Sequence, residues 1–349
     1  MGFVADPTPP GGGAGWASRL PVVSPTTFNR LSVVSLVAVS VIVVTGAAVR
    51  LTGSGLGCAD WPTCSTGHLT PPLQFHALVE FANRLVTVGL TVVVGLTFLA
   101  SVRRRPFRID LVWLSSGLVG GVLLQAVLGG IVVYTKLNPY LVMVHFFATM
   151  LLVVDAVVLV HRCSRQYGPG TGHLLVPVPV RQLSRGAVLL LAVVIAAGTA
   201  VTGAGPHAGS AQGQVVAKRI PVALRDMAEL HSSLALLLIG LCISLAVALH
   251  AMDVPERVRR AGRVLVIVLV AQGAVGYTQY FTHLPALLVE VHVIGATVLV
   301  IGMIQFFLAL TTHPREASQV VAATGPVTEA TAGDGADPSS QPEGAVIGG

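Results

Sequence analysis

The 349-residue sequence contains few charged and few aromatic residues. Asp, Glu, Lys and Arg make up 10% of it and Phe, Trp and Tyr 5%, whereas 53% of the residues are hydrophobic. Soluble globular domains carry about 25% charged residues, so the composition excludes that class. The net charge of +6 does not indicate nucleic-acid binding, because the basic residues stand in short loops between apolar segments. The sequence therefore predicts an integral membrane protein whose surroundings are the lipid bilayer.

Apolar runs long enough to cross a membrane recur along the chain. A helix of about 20 apolar residues spans the hydrocarbon core of a bilayer. The predicted spans are 31–51, 75–101, 111–134, 139–161, 186–204, 227–250, 262–281 and 285–311. Arginines concentrate in alternate loops, on the side that also carries the N-terminus. The positive-inside rule therefore predicts a multi-pass protein of the cell membrane with both termini in the cytoplasm.

The two ends of the chain differ in composition from the spans. Residues 1–30 are rich in Pro and Gly and lack the charged start and small-residue cleavage site of a signal peptide. Residues 312–349 are rich in Ala, Gly, Ser, Pro and Glu. Both segments are predicted to be disordered and cytoplasmic.

The two halves of the sequence resemble each other. At a constant offset of 147 residues, one set of residues recurs through two spans and the turn between them. The matching sets are Gln125, Gly129, Leu137, Leu141, Val142, Val144 and His145, and Gln272, Gly276, Leu284, Leu288, Val289, Val291 and His292. Because each half has an even number of spans, both halves enter the membrane in the same orientation. We predict an all-α fold of two parallel-repeat four-helix bundles, 31–161 and 186–311, joined by a cytoplasmic linker, 162–185.

Four histidines are predicted to lie in the outer third of the membrane. His76 and His231 open the second and sixth spans, whereas His145 and His292 lie about two turns inside the fourth and eighth. A polar ring inside a span is costly without a partner. Two imidazoles from different helices are typical axial ligands of haem iron, so we expect one haem site in each half. The alternative is that each histidine hydrogen-bonds a neighbouring helix.

The second span carries a polar face. His76, Glu80, Asn83, Arg84 and Thr87 recur at helical spacing on one side of an otherwise apolar helix. Glu80 is the candidate catalytic residue, which would accept protons or stabilise positive charge at a bound substrate. Alternatively, Glu80 and Arg84 form a structural i, i+4 ion pair. Arg84 is also a candidate for holding a haem propionate.

Two cysteines flank the segment GCADWPTC in the first outer loop. An oxidising exterior permits a disulfide between Cys58 and Cys64, and the alternative is a pair of free thiols. Cys163 falls on the inner side and Cys242 inside a helix, so neither is expected to have a disulfide partner.

Three features of the sequence resemble the haem A synthase family of bacteria and mitochondria. They are the segment RLTGSGLGCADWPTC, the Glu-bearing second span, and His145, His231 and His292 in the fourth, sixth and eighth spans. The resemblance extends over residues 31–311. It implies a C-terminal lobe that binds a haem b cofactor between His231 and His292. It also implies an N-terminal lobe that oxidises the C8 methyl of haem O, through an alcohol, to the formyl of haem A for terminal oxidase biogenesis. Haem O synthase and terminal oxidase assembly factors are the expected partners.

The resemblance assigns the outer-loop cysteine pair and the important glutamate of the family to Cys58, Cys64 and Glu80. The family usually shows Glu-x-x-His-Arg on the second span, whereas here Glu80 is followed by Asn83 and Arg84. Two alternatives follow from this departure. Either His76 replaces the missing ligand opposite His145, or the substrate iron is bound on one side only, with Asn83 and Arg84 as polar support.

Two other functions would use the same architecture. A di-haem b-type electron-transfer cytochrome needs the same histidines but needs neither Glu80 nor the first outer loop. A transporter built from parallel repeats would have helices broken near the midplane. The spans contain no paired Gly or Pro interruptions at matching positions, which disfavours the transporter.

Overall fold

The computed structural model describes most of the chain between the two terminal segments. The described residues are 22–65, 70–164, 173–211 and 216–311. Residues 1–21 and the whole predicted tail lie outside the described residues, as does part of the predicted linker. Residues 22–30 of the predicted N-terminal arm are described, and the prediction of disorder is wrong for those from Pro25 onward, which are helical.

The described residues form α-helices joined by short loops, and their only β-type pairings are isolated bridges. The helices are α1 Pro25–Leu51, α2 Phe75–Arg103, α3 Ile109–Tyr134, α4 Pro139–Cys163, α5 Val178–Ala204, α6 Leu224–His250, α7 Glu256–Phe281 and α8 Ala286–Ala309. Each is long and apolar enough to cross a membrane. The prediction of an all-α membrane protein with eight spans is confirmed.

Three helices begin well before the residue that the hydropathy pattern predicts. α1 begins at Pro25 rather than 31, where the side chain of Ser24 accepts a hydrogen bond from the Thr27 backbone N–H at 3.1 Å. α5 begins eight residues before the predicted 186, with a proline in its first turn, and α7 begins six residues before 262. Proline is favoured in the first turn because its missing N–H has no helical partner there. Hydropathy finds the apolar part of each helix and misses these polar first turns.

Each half packs as a ring of four helices. In the first half α1 contacts α2 and α4, and α3 contacts α2 and α4; in the second half α5 contacts α6 and α8, and α7 contacts α6 and α8. Across each ring, the Cα atoms of α2 and α4, and those of α6 and α8, all stay more than 8 Å apart in the described part of the chain. The matching contacts support the parallel repeat, which remains a prediction. In the second half, His231 of α6 and His292 of α8 lie close together across the ring.

Hydroxyl groups join neighbouring helices in the first half. Ser35 of α1 lies 2.8 Å from Thr97 of α2, and Ser101 of α2 lies 2.8 Å from Ser115 of α3, measured between side-chain oxygens. All four side chains are fully buried. Small hydroxyl residues let helices approach closely in a bilayer, where burial of apolar surface does not drive helix association.

The halves are joined at their outer ends. Arg50, near the end of α1, donates to the backbone oxygens of Thr202 at 2.7 Å and His207 at 2.8 Å, both in the second half. The first outer loop also pairs with the corresponding loop of the second half, since the Gly55 N–H donates to the Gly209 oxygen at 2.9 Å. Gly209 has a φ of +98°, a backbone conformation that favours glycine. One guanidinium and one loop pairing thus add to the helix packing that joins the halves, in which α1 and α4 contact α8 and α4 also contacts α5.

We expect Arg50→Met to lower the stability of the protein. The substitution leaves the Thr202 and His207 carbonyls without their charged donor, and hydrogen bonds to charged groups contribute about 1.5–3 kcal/mol each. The measurement is the midpoint of thermal unfolding in detergent. Arg225→Met is the matched control, because Arg225 forms an exposed ion pair with Glu229 and should have little effect. Equal midpoints for the two variants would contradict the bridging role of Arg50.

Candidate functional site

Two histidines face each other in the interior of the second half. His231 of α6 and His292 of α8 have ring centroids 6.2 Å apart and ring planes at 73°. A metal–imidazole nitrogen bond is about 2 Å long and the nitrogen lies about 1 Å from the ring centroid, so two opposed ligands of one metal stand about 6 Å apart. The observed spacing fits two axial ligands on a single haem iron.

The backbone of α5 orients His231. The Nδ1 atom of His231 lies 3.0 Å from the Val194 carbonyl oxygen. A carbonyl can only accept, so Nδ1 carries the proton and Nε2 of the neutral ring keeps its lone pair. Gly198, one turn further along α5, makes room for the ring, since a Cβ there would lie 3.0 Å from Cε1 of His231. A hydrogen bond from the ring nitrogen that does not bind the metal is typical of metal-binding histidines.

The histidines of α4 and α8 have the same surroundings in the two halves. Gln125 donates its side-chain amide to the His145 carbonyl at 3.1 Å, and Gln272 donates to the His292 carbonyl at 2.7 Å. Sequence reasoning matched both glutamines in the repeat without assigning them a contact. Each glutamine lies the same number of residues before its histidine, and this shared spacing was the sequence signal that could have indicated the contact.

A glycine also faces each of these two histidines. A Cβ on Gly129 would lie 3.6 Å from Cε1 of His145, and a Cβ on Gly276 would lie 3.2 Å from Cε1 of His292. The Nδ1 atoms of both histidines are buried without a hydrogen-bond partner among the described residues. Each ring therefore has a buried nitrogen that makes no hydrogen bond to the described residues. No group of three His, Cys, Asp or Glu residues arranged for a bare metal ion occurs in the same part of the chain.

His76 does not lie at the depth of His231. The expectation was that both residues open their spans, but α6 begins at Leu224, so His231 is the eighth residue of its helix and His76 the second of α2. The hydropathy pattern starts the span at 227 and so misses the first three residues of α6, which include Arg225 and Asp226. The Nδ1 atom of His76 lies 3.1 Å from the Ser54 hydroxyl in the outer loop. His76 thus contacts the loop at the outer end of the first half.

Asn83, about two turns further in, contacts α1. Its side-chain oxygen accepts a hydrogen bond from the Thr45 hydroxyl at 2.7 Å. The two residues lie beside each other within the membrane-spanning part of α1 and α2, in the half that also contains His145. The sequence placed Asn83 near a haem site but gave no sign of the contact with Thr45.

Glu80 and Arg84 form the i, i+4 ion pair that their spacing predicts. Glu80 is buried, and one of its oxygens lies 2.6 Å from Nη2 of Arg84. Its other oxygen accepts from the Cys58 backbone N–H at 2.8 Å. The Nη1 atom of Arg84 donates to three loop carbonyls at 2.7–3.0 Å, those of Asp60, Pro62 and Thr63. The pair therefore fastens the first outer loop to α2.

The outer loop itself is closed by a disulfide between Cys58 and Cys64, as one of the two sequence alternatives predicted. Cys163 and Cys242 are free and buried. The loop lies directly on α2, because a Cβ on Gly57 would overlap the His76 carbonyl oxygen. These contacts make the loop a fixed cover over the outer end of the first half.

The same loop also reaches α3. The Trp61 ring lies against Gly130, where a Cβ would be 3.0 Å from Cδ2 of the indole, and the Tyr134 hydroxyl donates to the Trp61 carbonyl at 3.1 Å. Trp61 was not predicted to make this contact, because a sequence pattern does not show where a loop folds back.

Comparison of the sequence with known proteins identifies the family to which the chain belongs. A family model described as cytochrome oxidase assembly protein matches residues 29–304. A haem A synthase of Geobacillus kaustophilus is 37% identical over 109 residues, which cover 31% of this chain and 33% of that protein. One from Geobacillus thermodenitrificans is 32% identical over 157 residues, 42% of this chain and 49% of that protein.

A longer match has lower identity. The haem A synthase of Staphylococcus saprophyticus is 26% identical over 297 residues, 82% of this chain and 96% of that protein. The two Geobacillus matches span a third and about half of those relatives. Because the family match covers most of the chain, including every helix that carries a candidate haem ligand, the chain belongs to the cytochrome oxidase assembly protein family of the haem A synthases.

Proposed function

We propose that the protein is a haem A synthase, which oxidises the C8 methyl of haem O through an alcohol to the formyl group of haem A. The observation that carries the proposal is the pair of opposed imidazoles in one half, 6.2 Å apart, together with a further unsatisfied imidazole in the other. Two haem sites in one protein suit an enzyme that uses one haem to act on another. The names of the relatives support the same reaction.

His231 and His292 would hold a haem b cofactor. The ring spacing, the hydrogen bond that leaves Nε2 of His231 unprotonated, and the unsatisfied ring of His292 all fit this group. When bound, haem b supplies one-electron transfer, because two axial histidines leave no site for oxygen on iron. Gly198 and Gly276 keep the space beside the two rings free of side chains.

His145 would hold the iron of the substrate, haem O, inside the first half. Gln125 fixes the backbone of His145, and Gly129 leaves room beside its ring. The disulfide-closed outer loop covers the outer end of the same half and separates the substrate from water. A cover of this kind protects a reactive centre from side reactions.

The predicted catalytic role of Glu80 remains a prediction. Both of its oxygens are engaged, one by Arg84 and the other by the Cys58 N–H, so we propose that Glu80 also acts by positioning the loop. The Nη atoms of Arg84 are likewise occupied by Glu80 and loop carbonyls, which makes Arg84 part of the loop attachment rather than a propionate ligand through these atoms.

The protein would act in the cell membrane, with both termini in the cytoplasm. In this orientation the outer loop lies in the oxidising exterior, which is where a structural disulfide persists. Haem O is apolar and membrane-bound, so haem O synthase is the expected source of substrate and terminal oxidase assembly factors are the expected recipients of haem A.

Haem extraction distinguishes the synthase from a di-haem cytochrome. We expect protein purified from cells that make haem O to contain haem b together with haem O, its hydroxylated form or haem A, identified by chromatography and mass. The synthase binds its substrate and product, whereas an electron carrier needs only haem b. Haem b alone, from cells in which haem O is abundant, would favour the cytochrome.

Substitution of Glu80 separates loop attachment from cofactor binding. We expect Glu80→Gln and Glu80→Ala to reduce haem A formation at least about tenfold while the haem b absorbance of the second half is kept. Loss of the ion pair should also make the Cys58–Cys64 disulfide react faster with an added thiol, a change that loss of proton transfer alone would not cause.

The matched control for this experiment is Glu229→Gln. Glu229 also forms an i, i+4 ion pair with an arginine, but an exposed one, so its loss should change neither conversion nor disulfide reactivity. Normal conversion by Glu80→Ala would remove Glu80 from the mechanism, and unchanged disulfide reactivity would remove its positioning role.

A further inference from the structure

The two halves differ at one position of an otherwise repeated site. His145 and His292 are each the seventh residue of their helix, and each is held by a glutamine and faces a glycine of the preceding helix. The second half adds His231 from the diagonal helix. The first half has no histidine at the equivalent place on α2.

Helix register identifies Asn83 as the counterpart of His231. His231 lies beside Gly198 and its Nδ1 atom donates to the Val194 carbonyl, residues that lie six and ten positions before the last residue of α5. Asn83 contacts Thr45, which lies six residues before the last residue of α1. α2 and α6 thus meet their preceding helices at the same level through Asn83 and His231.

His76 lies too far out to take this place. It is seven residues before Asn83 on α2, which corresponds to about 10 Å along the helix axis. Its Nδ1 atom contacts Ser54 in the loop, and its ring is edge-on to Phe75 with centroids 5.3 Å apart. Both contacts hold it at the outer end of the half.

An asparagine amide is a poor ligand for haem iron. The amide nitrogen has no free lone pair, and carbonyl oxygen suits harder cations than iron in haem, whereas imidazole binds iron well. Thr45 donates to the Asn83 oxygen, which leaves the amide N–H groups as donors beside the haem. The side chain on α2 that corresponds to His231 therefore offers hydrogen bonds instead of coordination.

We infer that the substrate iron in the first half has His145 as its only protein ligand and that Asn83 stands over its open face. The second-half iron has both axial positions filled. The inference rests on the proposed function and specifies how that site binds haem O. Only the first-half iron then binds a small external ligand, to which Asn83 donates a hydrogen bond.

Carbon monoxide is the probe, because it binds ferrous haem that has a free axial position. We expect the reduced wild-type protein, purified with haem O or haem A, to bind about one carbon monoxide per two haems. Asn83→His should fill the open position, keep the haem content and reduce carbon monoxide binding at least about tenfold. Asn83→Ala and His76→Ala should keep the wild-type ratio of bound carbon monoxide to haem.

A matched exchange in the second half gives an independent readout. His231→Asn recreates there the arrangement of the first half, so the ratio of carbon monoxide to haem should rise to about one. The ratio rises whether the variant keeps its second haem in an open form or loses it. The haem content of each sample is measured by extraction alongside the absorbance difference spectrum.

Wild-type protein that contains haem O or haem A and does not bind carbon monoxide would overturn the inference. So would a gain of carbon monoxide binding in His76→Ala, because His76 would then be the second ligand. In both cases the proposed function would stand. Extraction that yields haem b alone would instead overturn the proposed function, so the two failures are distinguishable.

Discussion

Polar groups inside a bilayer must bind each other or the backbone, and this constraint shapes the outer half of the molecule. Water is absent from the hydrocarbon core, so an unpaired polar group costs several kcal/mol there. Arg50 reaches backbone carbonyls of the other half, Arg84 reaches Glu80 and the loop, and Gln125 and Gln272 each reach a histidine carbonyl. These contacts position the same helices that carry the candidate haem ligands. The polar groups that are left unsatisfied include the histidine rings themselves.

The two halves share a matching set of helix contacts, and we propose that single residues give them different chemistry. The glutamine and glycine that surround His145 recur around His292, which keeps the two imidazoles in similar settings. The diagonal helices differ, with an amide in one half and an imidazole in the other. In the proposed sites, this difference would decide whether a second side chain can bind the iron, because imidazole binds it well and an amide does not. A resident electron carrier and a reactive substrate can thus occupy related cavities of one chain.

The sequence predicts the eight spans well because hydropathy is a property of about 20 residues together, and single exceptions do not change it. It predicts the starts of α1, α5 and α7 poorly, because polar turns in the headgroup region carry no apolar signal. The same limitation displaced His231, whose helix begins with charged residues. The repeat identified His145 and His292 as partners in equivalent positions. Contacts such as Arg84 with the Thr63 carbonyl were not predictable, since they depend on how a loop of irregular backbone folds back on a helix.

The contacts of Arg50 affect the order in which the chain can be completed. Arg50 and the carbonyl of Thr202 are 152 residues apart, so the guanidinium enters the membrane long before its acceptor has been synthesised. Until the fifth helix arrives, the first four helices retain a cation without its native acceptors near the end of α1. The nascent N-terminal half therefore lacks these contacts of Arg50 until the second half of the same chain has been synthesised. If the halves were expressed as separate subunits, Arg50 would reach its acceptor carbonyls only after two molecules had met, rather than within one chain.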